Sequence, residues 1–213
     1  MKAITLWQPW ASLIACGAKK FETRSWETNY RGPIAIHAAS KSIKSILKEC
    51  FPLGEWSYHP SYEAKSRFLN AVGFALMTPI DTLPLGSIVA IAELVGCYKI
   101  YDTVDNGVHI VKCPDTSYNF DKVEFIRGNE ILFGDWTKGR FAWEFSKMSM
   151  FPEPIPAKGK QGLWNWEYEK DYTQCPYWRN DKCMGFNCCD ESGCPHAPEY
   201  QPWLKEREKN ESF

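Results

Sequence analysis

No stretch of this chain approaches the roughly 18 consecutive apolar residues needed to cross a bilayer; the longest, near Ile88, is only a few residues. Charge of one sign is also lacking: the formal net charge is −1, which excludes a protein that is basic throughout. There is no internal repeat and no low-complexity tract, and disorder, collagen and coiled coil are excluded as the main state. A Gly-x-Ser-x-Gly elbow, a phosphate loop and a His-Glu-x-x-His pair are all missing, so the commoner hydrolase and NTPase routes have no support. Nine cysteines in 213 residues fall below the roughly 8–10% typical of a disulfide scaffold. Leu13-Ile14-Ala15-Cys16 imitates a lipoprotein cleavage site, but Gln8-Pro9 interrupts the continuous apolar run that a leader requires. The expectation is a cytoplasmic protein with no membrane contact.

The composition present, 44% hydrophobic and 24% charged, is that of an ordinary folded domain with an appendage. Ala3 to Leu6 reads as a strand. Pro9 then opens a short helix with Trp10, Leu13 and Ile14 on its apolar face, closed by Gly17. From Lys20 to Trp26 the chain alternates, with Phe21 and Thr23 on one side and Lys20, Glu22, Arg24 and Trp26 on the other. Further strands are predicted at Ile34 to Ala38, Ser87 to Val95, Phe141 to Phe145 and Leu163 to Trp166, and helices at Ser42 to Cys50 and Tyr62 to Asn70. Residues 101–135 read as an irregular insertion, and Pro152, Pro154 and Pro156 as breakers of structure. The single cysteines Cys16, Cys50, Cys97 and Cys113 read as small buried apolar residues. These elements predict an α+β domain over 1–168, a small, partly closed barrel with helices around it, and a separate Cys-rich tail over 169–213.

The even charge balance hides an asymmetry. Residues 1–48 carry a local excess of +6, leaving −7 on the rest. A basic patch on a neutral protein suits a polyanion held at one face. Lys19, Glu22 and Arg24, with Trp7, Trp10 and Trp26 nearby, combine cations, a carboxylate and flat aromatic surfaces. Such a set can hold phosphate, read a base edge and stack a base, stacking being worth about 1–3 kcal/mol. The structural alternative is a Glu22–Arg24 surface pair with tryptophans in the core. Lys19 reaches the face of Glu22 and Arg24 only if it sits in the turn after Gly17. His37 reads as a strand-end histidine, or as a third member of a metal-free nuclease site.

The run Trp7-Gln8-Pro9-Trp10-Ala11-Ser12-Leu13-Ile14, then Gly17-x-Lys19-x-x-Glu22-x-Arg24, resembles the opening of ASCH domains, members of the PUA-like superfamily. Arg31-Gly32-Pro33-Ile34-Ala35-Ile36-His37-Ala38, the strand Ser87 to Val95 and Lys158-Gly159-Lys160-Gln161-Gly162-Leu163-Trp164 continue the resemblance. It implies a PUA-like β-barrel with a cleft lined by the motif, in a superfamily that binds RNA or DNA and in places grips a flipped or modified base. A bacterial branch hydrolyses the acetyl amide of a modified cytidine with a Lys and a Thr of this motif plus a distant Glu. Lys19 matches that Lys, but Glu22 stands where the Thr would be.

The expected partner is therefore RNA or another single-stranded nucleic acid, held by Gln8, Trp10, Lys19, Lys20, Glu22, Arg24, Trp26 and Arg31. The alternatives are a small hydrolase acting on RNA or a modified nucleoside, with Lys19 and Glu22 as acid and base, and an interaction module whose aromatic cleft binds a peptide. In the tail, Cys175, Cys183, Cys188, Cys189 and Cys194 precede His196. Four of these six suit one structural Zn²⁺; disulfides and an iron–sulfur cluster are the alternatives.

Overall fold

A computed structural model describes residues 1–51, 60–104, 107–112 and 123–167, with two short strands at 178–179 and 182–183. By contact the chain divides into two units, Met1–Trp166 and Glu167–Phe213. In the first, β1 (Lys2–Leu6) leads into α1 (Trp10–Ala15), then β2 (Phe21–Arg24), β3 (Gly32–Ala38), α2 (Ile43–Cys50) and α3 (Pro60–Leu76). A short 3-10 turn, Ile80–Thr82, precedes β4 (Ser87–Val104), β5 (Gly107–Lys112), β6 (Val123–Ile126), α4 (Asn129–Leu132), β7 (Phe141–Pro156) and β8 (Leu163–Asn165). The fold is α+β around one mixed sheet in the order β2-β7-β4-β3-β1-β8, with the β5–β6 hairpin added to β4. β1 and β3 run parallel; the other neighbours are antiparallel. The path is open: among the described residues β2 and β8, its two ends, are not hydrogen-bonded to each other.

The alternation in β2 is observed. Phe21 and Thr23 are buried, while Glu22 and Arg24 are only partly so. Gly17 sits just past α1 at φ +80°, the left-handed conformation that favours glycine, and its N–H donates to Ile14 O. Ser42 caps α2 by accepting from the Ser45 N–H.

The main core joins Ile4, Ile34, Ile36, Trp143 and Phe145 from the sheet to Ala11 and Ile14 of α1. A second packs Phe68 and Val72 of α3 on Leu13 and Phe133. Each such fully buried aliphatic or Phe side chain contributes about 1.5–3 kcal/mol of transfer free energy.

Three expectations are corrected. The described residues between 101 and 135 hold the end of β4, the paired β5 and β6, and α4 rather than an irregular insertion. The prolines do not end β7. Between the pairs Ile88–Ile155 and Ala90–Met150 the register shifts, so Pro152 and Pro154 lie in a bulge where no ladder N–H is required of them, and Pro156 closes the strand. Of the three single cysteines among the described residues only Cys97 is buried. Cys16 is exposed at the end of α1, its thiol donating to Leu13 O, and Cys50 is exposed in the last turn of α2. Cys113 lies outside the described residues.

In the second unit β9 (Trp178–Arg179) and β10 (Lys182–Cys183) pair antiparallel. Cys183 is placed there by its backbone; Cys175, Cys188, Cys189, Cys194 and His196 lie outside the described residues. No described helix is long and apolar enough to cross a membrane.

Candidate functional site

β1 and β3 are parallel partners in which Thr5 lies beside His37. Their carboxyl ends open onto a cleft of about 600 Å³. Trp7 follows β1, Ala39 and Ser40 follow β3, Arg24 and Trp26 come from β2 and the turn after it, and the segment Lys158 to Gly162 completes the rim. Arg24, Lys158 and Lys160 bring positive charge, and no Asp or Glu is among the lining residues. Phosphate would meet no like-charged side chain there.

The aromatic walls are held from behind. Trp26 is 36% exposed and meets Trp143 edge-on at 4.5 Å, and the Trp143 indole N–H donates to Trp26 O at 3.3 Å. Trp7 is 38% exposed; the Lys41 ammonium sits 4.1 Å from its ring centroid, and Lys41 is itself paired with Glu49 of α2. That cation occupies one face of Trp7. Arg24 donates through Nη2 to Thr5 O at 3.1 Å, bridging β2 to β1 across the open part of the sheet. Its Nε lies 3.4 Å from Glu22 Oε1 without the alignment of a hydrogen bond, an ion pair by distance alone.

At the back of the cleft Trp164 donates its indole N–H to Thr5 Oγ1 at 3.1 Å and meets the His37 ring edge-on at 5.8 Å. His37 Nε2 lies 2.9 Å from Ala157 O. Burial pushes its pKa below the ordinary histidine value, opposed by the bond to that carbonyl. Gly159 packs so tightly that a Cβ there would fall 2.4 Å from His37 Cε1 and 2.9 Å from Thr5 Oγ1.

The motif residues divide. Lys19 does sit in the turn after Gly17, but its side chain is fully buried beneath β2. The amine donates to Phe21 O and, at 2.7 Å, to Phe133 O, with Glu22 Oε2 3.6 Å away. Burial pulls its pKa below the ordinary lysine value, against the attraction of Glu22 and Glu130. Neither Lys19 nor Glu22 lines the cleft.

Gln8 is buried, donating to Ser12 Oγ and Pro84 O and accepting from the Ser12 N–H. Trp10 packs on Phe68 with ring centroids 5.5 Å apart. Lys20 is exposed and its backbone N–H donates to Glu130. Arg31 donates to the carbonyls of Thr28 and Tyr30. Of the eight candidate binding residues the structure brings Arg24 and Trp26 to the cleft, and the other six are not among its lining residues.

The ASCH domain family matches residues 4–151. The chain belongs to that family. No curated protein matches it. The family match ends before Lys158, so this part of the cleft's rim lies outside it. Lys158 and Lys160 are what the sequence reading missed as site residues. The available signal was two lysines flanking a glycine in the turn between two strands, Lys-Gly-Lys-Gln-Gly. Chemically, the arrangement offers two indole surfaces for a flat apolar group and three cations for an anion.

Proposed function

We propose that this ASCH domain binds single-stranded nucleic acid, RNA in the first instance, by taking an unpaired nucleotide into the cleft. The base stacks on Trp26 or on the open face of Trp7, and the flanking phosphates lie along Arg24, Lys158 and Lys160. One observation carries the reading: exposed indoles and three cations converge on one cleft whose lining holds no carboxylate. The volume is that of a small-ligand site, suited to a nucleotide out of its stack rather than to a duplex. A role in recognising a modified base belongs to the same cleft, because an unstacked base presents all its edges. The hydrolase reading lacks an equivalent observation, since Lys19 and Glu22 are outside the lining.

Lys158 and Lys160 are exposed and serve no core contact, so replacing both with Ala should leave the fold intact. Loss of two phosphate contacts should reduce the slope of log affinity against log salt by about 1.4 for a single strand. Trp26→Ala should weaken binding by about 1–3 kcal/mol, and Trp26→Phe by less. An unchanged salt slope in the folded double variant refutes the assignment, and so does salt-insensitive binding of the wild type, which would favour a peptide.

A further inference from the structure

His37 touches the cleft, but its reactive nitrogen is not offered to a ligand. A carbonyl can only accept, so Nε2 carries the proton in the bond to Ala157 O, and Nδ1 holds a bare lone pair. Nδ1 is buried without a hydrogen-bond partner. It lies against Gly159, where a Cβ would be 2.5 Å from it. Ala157 and Gly159 flank Lys158, and Lys160 follows; the histidine, together with the Gly86 carbonyl that accepts from the Ala157 N–H, therefore holds the backbone that carries two of the three cleft cations.

We propose that His37 is the positioning residue of the cleft: uncharged, it latches residues 157–160 against β3 so that Lys158 and Lys160 face the ligand, and its protonation releases them. This rests on the cleft reading above. A proton on Nδ1 would create a buried N–H⁺ with no acceptor, pressed on Gly159. The groups around the ring supply no carboxylate to compensate it. β2 brings Arg24 and the rim brings Lys158 and Lys160, while β1 brings Thr5, β8 Trp164 and β4 Ser87 and Ile88, none of them charged.

The sign follows from linkage. The latched ring has the lower proton affinity and the released ring the ordinary one. The released state therefore binds more protons as pH falls through about 6.5 and gains on the latched state. Acidification should weaken nucleic-acid binding. If His37 were instead a cationic phosphate ligand, acidification would strengthen it, so the two roles predict opposite slopes.

The test uses the full chain and a twelve-residue oligouridylate, whose bases do not titrate between pH 5 and 8, read by tryptophan fluorescence. Wild-type affinity should fall about threefold or more from pH 7.5 to 5.0. His37→Gln, whose amide can still donate to Ala157 O but cannot take up a proton, should show no such fall between pH 7.5 and 5.0, whatever its affinity at pH 7.5. In the ligand-free wild type, the Ala157 amide, which donates to Gly86 O at 3.0 Å, should lose exchange protection over the same pH range once corrected for its intrinsic rate, and in His37→Gln it should not. A flat or rising wild-type affinity, an equal fall in His37→Gln, or pH-independent protection overturns the latch. If oligouridylate binds at neither pH the cleft reading fails, and the exchange data alone decide the latch.

Discussion

Replacing Lys19 with Met separates a lysine that grips ligand from one that holds the scaffold. The side chain is fully buried, and its amine serves the carbonyls of Phe21 and Phe133, tying β2 to the turn after α4. Methionine fills much of the same volume but donates nothing. Two buried carbonyls then lose a donor, at about 1–3 kcal/mol each. Relief from holding an amine in a dry site offsets part of this, leaving a net loss of about 2–4 kcal/mol. For a chain of this size that lowers Tm by about 5–15 °C. Because Lys19 does not line the cleft, affinity measured well below the melting transition should stay within about twofold of wild type.

A second signature of the same variant is its alkaline behaviour. The folded amine releases its proton at a lower pH than the unfolded one. Between those two values the unfolded state holds more protons, so wild-type stability gains with rising pH up to about 10.5 through this group. The wild-type-minus-variant difference in denaturant unfolding should therefore grow over that window. An unchanged Tm together with lost binding would refute the reasoning and return Lys19 to the ligand.

Gly159→Ala forces a Cβ to 2.4 Å from His37 Cε1, so the rim or the ring must shift by about 1 Å, costing about 1–3 kcal/mol; wild-type stability and affinity together would show that the packing is not as described. Glu22→Gln removes the charge beside Lys19 and Arg24 and should weaken every oligonucleotide to the same degree; an altered base preference would instead make Glu22 a reader of the base. For the tail we propose one zinc ion per chain, held by four of Cys175, Cys183, Cys188, Cys189, Cys194 and His196. Chelation should expose the tail, but not residues 1–168, to protease, and disulfides mapped among these cysteines would refute it.

What could be read from the chain followed the range of the forces involved. β2 was legible because one face is buried and the other is ionic, so a period of two survives in the residues, and Arg24 and Trp26 came with it. The course of β7 was hidden because its prolines fall in a bulge, and whether a proline breaks a strand depends on the partner's register rather than on its neighbours. The same limit divided the site. Lys19 shares a short motif with Arg24, yet one amine ends beneath the strand on two carbonyls and the other cation ends at the cleft. Nothing local distinguishes a buried donor from an exposed one: the Phe133 carbonyl that claims Lys19 arrives from a distant turn. Lys158 and Lys160 are the converse, ordinary surface lysines by sequence. They become site residues only because His37 and Thr5, on β3 and β1, leave room for a glycine between them and for nothing larger. The motif marks one wall of the cleft; the opposite wall is set by packing across strands far apart in the chain.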